Sequence, residues 1–294
     1  MEENAILLKM ENVRSVLGER PWDSHKGMFG YIGILGGSLC YSGAAKLANL
    51  GASALRSGCG VATLGVPASL APAVAPYLLE STLFPMPDRD GKMIFDPNAL
   101  DSFFAGKRAV AVGMGWGRSS EYEMILDYLF RNFSGTILLD ADGLNTLAES
   151  GVKMLTRKQG RVVLTPHPME FSRLSGNPVS EILKKPIEHA KSFASEHEVV
   201  VLLKGSVTTV TDGKTVYQTD RGCAGMATAG SGDVLSGVLA GMLGYLPPTA
   251  LTVAAGAYLA GLAGELAEKE SNPFSMVASD TARAIPRAFS KILK

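Results

Sequence analysis

The sequence has no charge bias. Its 294 residues carry 28 Lys and Arg against 28 Asp and Glu, a formal net charge of zero at pH 7, so the basic footprint of a nucleic-acid-binding protein is missing. Cysteine is scarce. Cys40, Cys59 and Cys223 are odd in number, widely spaced and form no CxxC pair, which argues against a disulfide framework and fits a reducing, cytoplasmic setting. No apolar run with a cleavage site follows the acidic start Met1-Glu-Glu-Asn, so no signal peptide is expected. The longest weakly polar stretch, Ala250 to Gly264, reads as too short for a bilayer and better as a buried helix. Linkers, low-complexity tracts and internal repeats are also missing, and one domain spanning residues 1–294 is expected, with no membrane and no nucleic acid among its partners.

What the sequence has in excess is glycine. There are 33, well above the ~7% of average usage, and many sit where apolar runs end. Gly30-Tyr-Ile-Gly-Ile-Leu-Gly-Gly37 reads as a buried strand closing on a glycine pair, followed by a helix from Ser42 to Arg56 with Ser42 as its N-cap. The glycines there do not have the GxGxxG spacing, so a Rossmann dinucleotide fold is disfavoured. Further strands are expected at Gly60–Val66, Glu80–Phe84, Ala109–Val112, Thr136–Leu139, Arg161–Leu164 and Glu198–Leu203, with a hairpin over Thr208–Tyr217 turned at Asp212-Gly213. Helices are expected at Ala68–Pro76, Pro97–Phe104, Glu121–Arg131, Asp233–Leu243, Ala250–Lys269 and Val277–Leu293. Alternating strands and helices imply an α/β fold with a mostly parallel sheet, whose carboxyl edge gathers the polar and glycine-rich clusters.

The most informative cluster is Met226-Ala-Thr-Ala-Gly-Ser-Gly-Asp-Val-Leu-Ser-Gly237. Small residues run into a helix-compatible segment with one carboxylate, Asp233, at the junction. Backbone amides at a helix start have no intrahelical partner and carry the positive end of its dipole, so Gly230, Ser231 and Gly232 form a candidate anion hole. A carboxylate is a poor phosphate ligand, and Asp233 is therefore read as a base that takes a hydroxyl proton during phosphoryl transfer, with helix stabilisation as the plain alternative. His25 and Lys26 could reach a ligand phosphate but read as surface groups.

Taken with Thr165-Pro-His-Pro-Met-Glu170, Lys204-Gly-Ser-Val-Thr208, Asp140-Ala-Asp-Gly-Leu-Asn145 and Ser42-Gly-Ala-Ala45, this run closely resembles the ADP/ATP-dependent NAD(P)H-hydrate dehydratases of the ribokinase-like superfamily, over roughly residues 20–290. The resemblance implies a three-layer α/β/α architecture. It also implies a carbon–oxygen lyase reaction: the nucleotide phosphorylates the C6 hydroxyl of (S)-NADHX or (S)-NADPHX, and loss of phosphate regenerates NADH or NADPH. By the same resemblance Ala44, Gly115, His167 and Asp233 contact the hydrate, while Lys204, Gly205, Ser206, Val207, Thr208 and Gly232 hold the nucleotide. Asp142 and Asn145 orient nucleotide or magnesium, or simply form an Asx turn, and Glu170 is a candidate helix cap. Mg2+ is the expected metal, with no ligand set assigned, and ADP is favoured over ATP as co-substrate. A homo-oligomer is expected, a tetramer being one candidate. No companion epimerase domain is expected in the chain, so a separate epimerase would supply the other hydrate epimer. Met169, Cys223 and Ala229 depart from the family's usual Gly, Asn and Gly. The rival readings are a ribokinase-superfamily kinase acting on a vitamin-precursor alcohol and a non-catalytic nucleotide-binding module.

Overall fold

A computed structural model describes residues 5–50 and 55–294. Its strands are β1 (Ile6–Leu7), β2 (Tyr31–Leu35), β3 (Val61–Pro67), β4 (Thr82–Met86), β5 (Asp88–Arg89), β6 (Lys92–Met93), β7 (Ala109–Val112), β8 (Thr136–Leu139), β9 (Arg161–Leu164), β10 (Val200–Leu203), β11 (Thr208–Thr211) and β12 (Val216–Thr219). Apart from the small β5–β6 hairpin they form one ten-stranded sheet in the order β1-β12-β11-β10-β9-β8-β7-β2-β3-β4. From β4 to β10 every pairing is parallel, and β11 and β12 add an antiparallel hairpin beyond β10. Strand order reverses between β2 and β7. That is the topological switch point, where the connections diverge and open α/β sheets leave a crevice at their carboxyl edge.

The helices are α1 (Met10–Leu17), α2 (Ser42–Asn49), α3 (Ala71–Val74), α4 (Pro97–Phe104), α5 (Ser120–Asn132), α6 (Asp142–Ser150), α7 (Pro168–Ser175), α8 (Val179–Lys184), α9 (Pro186–His197), α10 (Ser231–Leu243), α11 (Ala250–Glu268) and α12 (Ala278–Leu293). They cover both faces of the sheet. One face packs Ile32, Ile34, Ala109, Ala111 and Leu138 against α2, α10, α11 and α12, and the other packs Val110, Val112, Ile137 and Leu139 against α4, α5 and α6. Successive strand residues alternate between the two cores, which is why these strands appear in the sequence as continuous apolar runs. The result is the expected three-layer arrangement.

Two local expectations are corrected. Ser42 is the first residue of α2, which is entered at Tyr41 without a side-chain cap, so its hydroxyl is not an N-cap. The helix also ends at Asn49, because Leu50 turns to φ −43° and ψ 115°; residues 51–54 lie outside those described, and Leu55–Ser57 form a 3-10 turn. The Ala250 helix is found where expected and is buried as expected, but it is not too short for a bilayer. At 19 residues α11 is long and apolar enough to cross a membrane, yet 83% of that window is buried inside the protein.

Phe103 on α4 illustrates how the sheet accepts its helices. Its ring is fully buried and sits where Gly33 of β2 and Gly65 of β3 have no side chains, since a Cβ at either position would come within 2.8 Å of it. Truncation would leave a ring-sized void between elements that cannot close on it. Phe103→Ala is expected to destabilise the protein by about 3–5 kcal/mol, read as a lower denaturant midpoint at an unchanged slope.

Candidate functional site

Three strand ends and one helix start meet at the carboxyl edge. β8 delivers Asp140, β9 delivers the Pro166-His167-Pro168 turn, β10 delivers Lys204, and the first turn of α10 faces them. Lys204 Nζ donates to Asp140 Oδ1 at 2.8 Å, and the other carboxylate oxygen accepts the Ser236 hydroxyl at 2.8 Å. Asp140 is 2% exposed, so its charge is matched inside the protein, as a buried charge must be. Glu170 adds a second carboxylate 3.9 Å from the same ammonium. Burial works against the charge on Lys204, but the carboxylates of Asp140 and Glu170 outweigh it and hold its pKa above the ordinary lysine value.

Opposite this pair, α10 starts from Gly230, whose φ of 92° is left-handed and where a Cβ would lie 2.4 Å from Leu47 Cδ1. Both the conformation and the approach of α2 require glycine. Among the described residues the amides of Gly230, Gly232 and Asp233 find no acceptor, whereas the Ser231 N–H leans on the Thr228 carbonyl at 3.4 Å. The amides left free to meet an anion are thus those of Gly230, Gly232 and Asp233, whereas the sequence reading named Gly230, Ser231 and Gly232. The Ser231 hydroxyl is buried and also unpartnered. Gly232 leaves a gap directly over the ion pair, because a Cβ there would stand 3.5 Å from Lys204 Nζ and 3.6 Å from Asp140 Oδ2.

Asp233 is the third residue of α10. Burial, reinforced by the negative charges of Asp140 and Asp142 and opposed by Lys204, pushes its carboxyl up to about 7. Glu170 is likewise pushed up to about 7 by burial, with Lys204 pulling the other way. His167 moves in the other direction. Burial, and then the positive charge of Lys204, hold its imidazole below the ordinary histidine value. His167 and Glu170 together close the start of α7: the ring Nδ1 accepts the amides of Met169 and Glu170 at 3.1 and 3.3 Å, and Glu170 Oε2 accepts the His167 amide at 2.8 Å. Glu170 is thus the helix cap foreseen in the sequence, in a reciprocal capping box.

Ala44 and Gly115 come together at the switch point. Gly115 has a φ of +69°, and a Cβ on it would lie 2.9 Å from Ala44 Cβ and 2.6 Å from the Tyr41 carbonyl. The Ser38 hydroxyl donates to the Gly115 carbonyl at 2.8 Å, and the Gly37 amide to that of Met114 at 2.7 Å. The turns after β2 and β7 are in this way stitched into one floor. Asp142 and Asn145 belong to this floor: Asp142 Oδ2 accepts the Gly117 amide at 2.7 Å, Asn145 donates to Asp142 Oδ1 at 3.4 Å, and Arg173 of α7 donates to Asn145 at 2.8 Å. The sequence offered a nucleotide, a metal or a local turn for these two residues; in this structure they open α6 and hold the glycine turn. His25 and Lys26 lie at the amino edge of the sheet, beside Gly60 and Arg108, far from these strand ends.

Next to the ion pair is a cavity of about 490 Å³. Lys204, Gly205, Ser206 and Thr208 line one wall, Ser231 and Gly232 the end nearest Asp233, and the segment from Asp220 to Ala224 the roof. Val207, grouped with them in the sequence, is 44% exposed and is not part of the lining. The roof lies on α11. Arg221 pairs with Glu265 at 3.1 Å, the Gly225 amide bonds to Glu268 at 2.8 Å, and Gly261 and Gly264 leave room for the Arg221 backbone and for Met226. Cys223 lines the cavity, its thiol pushed up by burial. Met169 and Ala229 are both exposed. Sequence reasoning assigned no individual role to Asp140 or Ser236, although both lie in motifs it singled out, Asp140–Asn145 and Met226–Gly237.

Comparison with known proteins points one way. The NAD(P)H-hydrate dehydratase family profile matches residues 32–287. The ADP-dependent (S)-NAD(P)H-hydrate dehydratase of Bacillus subtilis is 33% identical over 284 residues, 96% of each chain. A bifunctional NAD(P)H-hydrate repair enzyme from Moorella thermoacetica is 35% identical over 288 residues, 96% of this chain and 53% of its own length, so the chain spans about half of that relative. Among solved structures, the ADP/ATP-dependent NAD(P)H-hydrate dehydratase of Bacillus subtilis, co-crystallised with ATP and Mg2+, superposes with a TM-score of 0.82 at 30% identity, covering 98% of this chain and 99% of the other.

The raised Asp233 carboxyl has a consequence for stability. Between its unfolded value and about 7, the folded protein holds a proton that the unfolded chain has released, so this group's contribution falls as pH rises from about 4 towards 7. Asp233→Asn removes that penalty. The variant is expected to be more stable than the parent by about 1–3 kcal/mol at pH 8 and no more stable at pH 4, as measured by denaturant unfolding at both pH values.

Proposed function

The chain belongs to the NAD(P)H-hydrate dehydratase family, and we infer that it returns (S)-NADHX and (S)-NADPHX to NADH and NADPH at the expense of a nucleotide's terminal phosphoryl group. The observation that carries this reading is Asp233: a half-buried carboxyl held near 7, in the first turn of a helix with free amides, at the end of a nucleotide-sized cavity. Such a group is half ionised near neutrality, where a base is most effective. Hydroxide leaves carbon poorly and phosphate leaves well, so phosphorylating the hydrate makes the elimination feasible.

Position supports the following roles. Asp233 takes the C6 hydroxyl proton as that oxygen attacks the terminal phosphorus and the bond to the shortened nucleotide breaks. The amides at the start of α10 stabilise the charge that gathers on the transferring group. Lys204, Gly205, Ser206 and Thr208 hold the nucleotide in the cavity, with Gly232 close against it. Ala44 and Gly115 at the switch point, and His167 on the turn after β9, bound the hydrated ring. In the second step the C6–oxygen bond breaks with its electrons leaving on phosphate, and the adjacent ring carbon loses a proton to restore the dihydronicotinamide.

ADP is the proposed co-substrate, giving AMP, in keeping with the relatives named for ADP. Among the described residues no group of three or more His, Cys, Asp or Glu is placed to hold a metal ion, and both oxygens of Asp140 and of Asp142 are already engaged. A dedicated protein cage is therefore not available, and Mg2+ would enter with the nucleotide's phosphates, as this ion commonly does. The free cysteines support a reducing, cytoplasmic setting. Epimerisation of the other hydrate is proposed to fall to a separate protein. A homo-oligomer is also proposed, for which light scattering should give several times the mass of one chain.

The deciding assay follows absorbance in the reduced-nicotinamide band after mixing the protein with NADPH hydrate, magnesium and either ADP or ATP. A nucleotide-dependent rise with stoichiometric phosphate is expected, faster with ADP. Tight nucleotide binding with no rise would overturn the dehydratase reading in favour of a kinase that releases a stable phosphate ester. Asp233→Asn is expected to lose about 10²–10⁴-fold in turnover while nucleotide affinity is retained.

A further inference from the structure

We propose that His167 is fixed as the neutral Nε2–H tautomer and serves the hydrate as a hydrogen-bond donor, never as a base. The proposal rests on the dehydratase reading for its substrate, but the tautomer is set by the fold. Flanking prolines hold His167 extended, at φ −82° and ψ 167°, and this backbone turns the ring back over the first turn of α7. Nδ1 then receives two amide hydrogens, from Met169 and Glu170. A nitrogen that accepts must present its lone pair, so the ring's single proton in the neutral form belongs on Nε2. Adding a proton to Nδ1 would turn an accepted bond into a clash of donors and uncap the helix.

On balance the surroundings act in the same direction, with burial and positive charge outweighing the opposing carboxylate. The groups that face the ring are Glu170 and Arg173 of α7, Lys204 after β10 and Asp140 after β8. Lys204 and Arg173 oppose a positive imidazole; Asp140 favours one, and Glu170 Oε1 lies 3.5 Å from Nε2. The ring is about half exposed, its side chain at 47%, so Nε2–H is open to an incoming acceptor oxygen. With its one free nitrogen protonated, His167 has no lone pair with which to receive the ring-carbon proton in the elimination. That proton must leave by another group, while His167 fixes an oxygen of the hydrated ring or of its departing phosphate.

The test reads the tautomer first. The chain has 4 histidines, His25, His167, His189 and His197, so ring-15N-labelled protein gives few signals, and His167→Asn identifies the one in question. His167 is expected to show a protonated Nε2 and a bare Nδ1 at pH 7, and to take up a second proton only below the ordinary histidine range. An Nδ1–H tautomer or an imidazolium at pH 7 would overturn the proposal, whether or not the enzyme turns over hydrate.

Kinetics provides the second readout. Asparagine can also cap a helix through its side-chain oxygen, so His167→Asn should keep the melting temperature and nucleotide affinity of the parent, whereas His167→Ala should melt lower. His167→Asn is expected to raise the KM for hydrate about tenfold and to keep the acidic limb of the pH–rate profile. Disappearance of that limb would make His167 a base and sink the donor assignment.

Discussion

Lys204 and Asp140 meet at 2.8 Å, and the pair joins elements that are remote along the chain. Asp140 ends β8, Lys204 follows β10, and Ser236, which occupies the second carboxylate oxygen, lies one turn into α10. Neither charge could be left alone at this depth, since a buried charge stripped of its partner costs several kcal/mol. The pairing therefore fixes how far the start of α10 stands from the strand ends. Gly232 keeps the space above the pair open, and the cavity begins there. If Lys204 turned elsewhere, Asp140 would reach for another donor and the mouth of the site would change shape.

The same pair governs the electrostatics. One ammonium faces the carboxyls of Asp140, Glu170 and Asp233 and bonds directly to Asp140. Burial, only partly opposed by that ammonium, pushes the carboxyls of Glu170 and Asp233 up to about 7. A residue that ionises at neutral pH is what proton abstraction needs, and the arrangement obtains it by starving Asp233 of partners. The helix dipole and free amides at the start of α10 supply the positive field that an anion would need beside these carboxylates. In the same field burial, and then the charge of Lys204, hold the His167 imidazole below the ordinary histidine value, while its Nδ1 accepts two amides of α7.

Much of this was legible in the sequence, and the reasons are specific. β7, β8 and β9 coincide with the apolar runs Ala109–Val112, Thr136–Leu139 and Arg161–Leu164, because strands buried on both faces leave no polar residue to blur their ends. β1 is two residues long with both side chains exposed, Ile6 at 46% and Leu7 at 49%, and no pattern marks it. α7 and α9 begin with Pro168 and Pro186, and Pro178 stands just before α8; proline looks like an interruption in a sequence but suits a helix start, where no amide bond is lost. Gly230, Gly232, Asp233, His167 and Lys204 were visible through the motifs that carry them. The partners of Asp140 were not, since Lys204 and Ser236 lie 64 and 96 residues away and no local period connects them.

α11 shows how composition misleads when it is separated from packing. Its Ala and Gly content gives it the length and hydropathy of a membrane span, yet most of it is buried in the protein. Gly261 and Gly264 are small because the Arg221 backbone and the Met226 side chain occupy the positions their Cβ atoms would take. That contact seats the segment roofing the cavity, and Glu265 and Glu268 on the same helix hold it by Arg221 and by the Gly222 and Gly225 amides. Small residues thus set how closely the roof approaches the helix, and the glutamates set its register along it. Larger residues at positions 261 and 264 would lift the roof away from Lys204 and Gly232, so the shape of the cavity is written in α11 as firmly as in the residues that line it.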